Sequence, residues 1–62
     1  MYIVYLNDGI PGVGEYDNAY GYFIKTDNID IGRYVGMIVN DYYVRVPIYN
    51  VKMILSERNE NA

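Results

Sequence analysis

The chain has 62 residues, 52% of them apolar, carries a net charge of −3, and contains no Cys, His or Trp. Those absences exclude disulfides, thiolate zinc sites and the imidazole and thiol chemistry behind most catalysis near neutral pH. The apolar share weighs against intrinsic disorder, and the acidic balance leaves no electrostatic footprint for duplex nucleic acid.

A chain this short hides only about 60% of its unfolded surface, so its stability calls for dense aromatic packing, self-association or a partner. Nine tyrosines stand among Val and Ile, a composition suited to strands that are half buried or that adhere to another molecule.

Tyr2–Leu6 is β-branched and aromatic and predicts a strand, ended by Asn7-Asp8-Gly9. It is apolar over only six residues counting Met1, with no basic residue before it, too short for a signal-peptide core or a membrane span. A soluble, cytoplasmic protein is therefore expected, with no membrane partner. The following Gly9-Ile10-Pro11-Gly12-Val13-Gly14 suits neither helix nor central strand. A long loop is expected there, continuing through Glu15, Tyr16, Asp17 and Asn18. Residues 20–26 predict a second strand closed by Asp27-Asn28, and Ile29-Asp30-Ile31 a short alternating segment before a turn or bulge at Gly32.

Residues 33–48 carry the clearest pattern. Two β-branched runs, Tyr34–Val39 and residues 42–46, flank Asn40-Asp41, a pair that tolerates the positive φ angles of a tight hairpin. That register pairs Val39 with Tyr42, Met37 with Val44 and Val35 with Val46. It places these five aliphatic side chains on one face, and Tyr34, Gly36, Ile38, Tyr43, Arg45 and Pro47 on the other. Pro47 ends the strand, residues 48–50 turn, and residues 51–55 form the last strand. The expected architecture is all-β: one domain over residues 1–55, five short strands closing into a small barrel, and a polar, frayed tail over residues 56–62.

The long early loop, the central hairpin and the run Val46-Pro47-Ile48-Tyr49-Asn50-Val51 before a final strand resemble the layout of SH3-like barrels. SH3 domains place Asn before Tyr in that run, whereas here Tyr49 precedes Asn50, and the Trp of their proline-peptide groove is missing. The resemblance implies the five-stranded SH3-like barrel with its long Gly-rich first loop, and not the ligand.

No catalytic residue, metal ligand or cofactor site emerges. Gly9, Gly12 and Gly14 do not follow the dinucleotide fingerprint, since Asp17 stands where its third glycine belongs, and Glu15 and Asp17 would repel phosphate. Asp27 and Asp30 are interleaved with Ile29 and Ile31 where a calcium loop needs oxygen. Glu15 and Asp17 have no companion nucleophile or base. The chain is therefore read as no enzyme.

The outward face of the hairpin is the candidate site. Tyr34, Ile38, Tyr43 and Arg45 form an amphipathic patch of the residue types that anchor protein interfaces. The loop residues Glu15, Tyr16 and Asp17, beside Tyr20 and Tyr22, add an acidic-aromatic rim suited to a basic partner. Two competing readings bury that face: the 9–17 loop covers it, or Arg45 stacks on Tyr43 within the fold.

The functional expectation is a non-enzymatic protein-binding module. Asn, Tyr and Ile supply 24 of the 62 residues, and their AT-rich codons extend this to a phage or mobile-element inhibitor that sterically blocks a host protein. The alternatives are a self-assembling structural subunit, using the same face or an exposed strand edge as a homo-oligomer contact, and a single-stranded nucleic-acid binder that stacks bases on tyrosines.

Overall fold

A computed structural model describes residues 1–57. Its strands, in chain order, are β1 (Tyr2–Leu6), β2 (Glu15–Asp17), β3 (Gly21–Thr26), β4 (Ile29–Ile31), β5 (Tyr34–Val39), β6 (Tyr42–Pro47) and β7 (Val51–Ser56), with a single 3-10 turn at Ile48–Asn50. They form two antiparallel sheets, one ordered β2-β3-β1-β7 and the other β4-β5-β6. The fold is all-β, and among the described residues no helix is long and apolar enough to cross a membrane.

Seven strands stand where five were expected. One addition is Ile29–Ile31, which pairs with β5 through Ile29–Met37, Asp30–Gly36 and Ile31–Val35. The other is Glu15–Asp17, expected to continue the Gly-rich loop. Here the Asp17 carboxylate accepts hydrogen bonds from the amides of Ala19 (2.6 Å) and Tyr20 (2.9 Å), folding the chain back on itself. Gly21, at φ +89°, completes the reversal, and Glu15–Asp17 pairs with Gly21–Phe23. The early loop is therefore shorter than expected. Among the described residues the ladders remain in two sheets and no closed barrel is detected. Ser56, assigned to the frayed tail, belongs to β7, and the Glu57 amide donates to the Met1 carbonyl at 2.9 Å; the rest of that tail lies outside the described residues.

The core lies between the sheets. Val4 and Leu6 of β1 and Ile24 of β3 meet Val35 and Met37 of β5 and Val46 of β6, all fully buried. Burying a side chain of this kind contributes about 1.5–3 kcal/mol. Ile10 and Val13 of the early loop close one side of the cluster. The hairpin has the expected register, Val39–Tyr42, Met37–Val44 and Val35–Val46. Its turn residues Asn40 and Asp41 adopt φ of 49° and 68°, the left-handed pair of a type I′ turn.

Two short links join the sheets. Asp27-Asn28 carries β3 of one sheet into β4 of the other, and the 3-10 turn carries β6 into β7. Buried Thr26 secures the first: its hydroxyl proton is shared between the carbonyls of Asn28 (3.0 Å) and Ile38 (3.1 Å). Asn50 secures the second. Its side chain accepts from the Asp8 amide (2.7 Å) and donates to the Asp8 carbonyl (3.0 Å), while the Asn7 amide donates to the Asn50 carbonyl (2.8 Å).

Replacing Thr26 with the near-isosteric Val removes only the hydroxyl and leaves two carbonyls short of a donor. We expect Thr26→Val to lose about 1–2 kcal/mol, read as a lower urea midpoint with an unchanged m value.

Candidate partner-binding face

On the outer face of β4-β5-β6, Asp30, Gly36 and Arg45 occupy one cross-strand row. The middle position has no side chain, and the ring of Tyr43 lies over it: a Cβ on Gly36 would sit 2.6 Å from the Tyr43 Cζ. Gly36 is accordingly buried although it faces outward. Beside it the Arg45 guanidinium stacks on the ring of Tyr34, 4.6 Å from the centroid, an interaction worth about 0.5–1 kcal/mol at an exposed site.

The face is open. Tyr34, Ile38 and Tyr43 are 45%, 57% and 59% exposed; of the early loop, Gly9 lies against the ring of Tyr22, and Ile10 and Val13 pack against the core. The arginine stacks on Tyr34, and Tyr43 is seated on glycine instead. A shallow groove of about 410 Å³ runs past Asp30, Gly32, Arg33, Tyr34, Tyr43 and Arg45. Among the described residues neither Arg33 nor Arg45 has a carboxylate within 4.0 Å. Arg33 was not among the expected site residues. Only its position beside the turn at Gly32 could have indicated it.

Glu15, Tyr16 and Asp17 lie on β2, at the edge of the other sheet, so they do not share this outer face. Tyr16 is exposed and meets Tyr22 edge-on at 5.0 Å across the β2–β3 pair. Asp17 has a structural task, holding the turn at Ala19 and Tyr20 and lying beside Tyr5. Tyr5 is only 6% exposed, packed against Tyr20 (5.4 Å between ring centroids) and Phe23 (5.6 Å). Burial, and then the negative charge of Asp17, push its phenol above the ordinary value of 10.0.

A second feature escaped the sequence reading. The outer face of the four-stranded sheet also carries an apolar stripe, with Tyr5 between Phe23 and Met53, and Ile3 between Lys25 and Leu55. The signal was there: residues 2–6 and 53–55 are unbroken apolar runs, the pattern of strands covered on both sides.

No protein-family model, curated protein or solved structure shows significant similarity to the chain.

Because Tyr5 holds its proton more firmly folded than unfolded, its contribution to stability is complete below about pH 10 and lost as pH rises through the elevated folded value. The thermal midpoint should fall above pH 10, and the fall should be shallower in Tyr5→Phe. Parallel curves for the two proteins would contradict this assignment.

Proposed function

We propose that the protein is a non-enzymatic protein-binding module of the cytoplasm that grips its partner through Tyr34, Ile38, Tyr43 and Arg45, with Arg33 and Asp30 flanking the contact. The observation that carries this reading is the seating of two exposed aromatic rings, Tyr43 on Gly36 and Tyr34 under Arg45, beside an open groove. Rigid aromatic and guanidinium groups that lose little freedom on contact are the usual anchors of protein interfaces. The edge of Glu15, Tyr16 and Asp17 is a separate, acidic contact for a basic patch on the partner. An inhibitor that blocks a host protein sterically, encoded by a phage or mobile element, is the form of this function we favour.

The scaffold we propose is an SH3-like barrel. Two features support it: β3 runs into β4 across only Asp27-Asn28 while changing sheets, and a 3-10 turn separates the last two strands. Strands that bend from one sheet into the next form the corners of orthogonal β packings.

Affinity capture from a lysate of the encoding organism, followed by titration with the captured protein, tests the site. Tyr43→Ala and Arg45→Ala should each weaken binding by roughly tenfold or more and leave the thermal midpoint nearly unchanged. Gly36→Ala should weaken it too, because the new methyl group displaces the movable Tyr43 ring. If both alanine variants at positions 43 and 45 unfold, the face is internal and the proposal fails.

A further inference from the structure

The groove beside Tyr34 is a basic place on an acidic molecule. Arg33 and Arg45 line it together with a single carboxylate, that of Asp30. Elsewhere residues 1–57 carry six acidic side chains against two lysines, and Lys52 donates to the Tyr20 carbonyl at 3.0 Å. Among the described residues neither guanidinium has a carboxylate within 4.0 Å, Asp30 included. Both arginines are also held in place. The Arg33 carbonyl accepts from the Ile48 amide at 2.9 Å, which ties its backbone to the 3-10 turn. The Arg45 guanidinium rests over the ring of Tyr34. A guanidinium stacked in this way keeps its N–H edge for a planar acceptor such as a carboxylate.

We infer that this groove selects an acidic segment of the protein partner, an inference that rests on the partner-binding reading above. An aspartate or glutamate side chain of that segment pairs with Arg33 and Arg45, and its apolar neighbour lies against the exposed ring of Tyr43. The charge of the groove favours a carboxylate over the other anions a protein meets. Two guanidinium charges less the one of Asp30 leave a single positive charge, which one carboxylate neutralises. A phosphorylated side chain brings about −1.5 to −2 and would set the excess against Asp30. An oligonucleotide would lay further phosphates along a surface whose remaining charge is mostly acidic. Asp30 therefore acts as a filter, weakening every anion but penalising the dianion most. The rings of Tyr34 and Tyr43 supply the apolar contact that a bare carboxylate lacks.

Titration of the isotope-labelled protein with end-blocked peptides of alternating glutamate and leucine, read from amide chemical shifts, tests this. The shifts should map to residues 30–36 and 43–45. Glutamine in place of glutamate in the peptide should raise the dissociation constant roughly tenfold or more. Arg33→Gln and Arg45→Gln should each weaken the glutamate peptide by a similar factor and the glutamine peptide far less. Asp30→Asn should tighten the glutamate peptide roughly twofold or more, and Lys25→Gln, on the other sheet, should change nothing. Asp30, Arg33 and Arg45 are all exposed, so amide shifts away from the groove should match those of the parent. Equal affinity for the two peptides, with shifts at Tyr34 and Tyr43, overturns the inference and leaves the partner-binding face standing. Shifts confined to other surfaces, or indifference to Tyr43→Ala, overturn both. No binding of the glutamate peptide at about 1 mM, no gain in Asp30→Asn, or tighter binding of a phosphoserine peptide or of oligothymidylate overturns the choice of a carboxylate alone.

Discussion

The left-handed pair Asn40 and Asp41 fixes more of this molecule than any other local feature. A type I′ turn matches the natural twist of two antiparallel strands and admits one register between them. In that register Val35, Met37 and Val46 point into the core with Val4, Leu6 and Ile24 of the other sheet. Tyr34, Ile38, Tyr43 and Arg45 are forced outward. A slip of one residue would exchange the two sets, placing a guanidinium in the core and valines in solvent. The free energy that holds the core together therefore also dictates the chemistry of the outer face, and Gly36 fixes the finer geometry by leaving a seat for Tyr43.

The two sheets solve different problems. The β4-β5-β6 sheet has one greasy and one amphipathic face, as an antiparallel sheet against water should. The β2-β3-β1-β7 sheet has apolar residues on both sides. It partly covers its outer side with its own aromatic cluster, in which Tyr5 is shielded by Tyr20 and Phe23. Asp17 ties that cluster to the β2–β3 reversal through the Ala19 and Tyr20 amides and its proximity to Tyr5. A residue expected to meet a partner thus also serves the fold.

Residues 33–48 were legible because alternation, a turn dipeptide and a terminating proline agree there. The outward position of Tyr34, Ile38, Tyr43 and Arg45 follows directly. β2 was not legible, since Glu15-Tyr16-Asp17 carries no apolar alternation and becomes a strand only through the bonds the Asp17 carboxylate accepts from the Ala19 and Tyr20 amides and the freedom of Gly21. Long-range terms account for the other departures. The stacking of Arg45 on Tyr34 rather than Tyr43 depends on the space over Gly36, and the clamp of Asn50 on Asp8 spans 42 positions. Neither leaves a periodic trace.

That clamp and the position of β1 between β3 and β7 also govern how the chain acquires its shape. Of the described strands the most deeply buried is made first, and one of its two neighbours is made last. Contacts of such sequence separation close slowly, so Val4 and Leu6 stay uncovered during synthesis and depend on late arrival of β7. Nascent polypeptides in that condition invite proteases and chaperones. Loss of β7 by early termination would leave β1 without a neighbour on one side, and with it the sheet that supports half of the core.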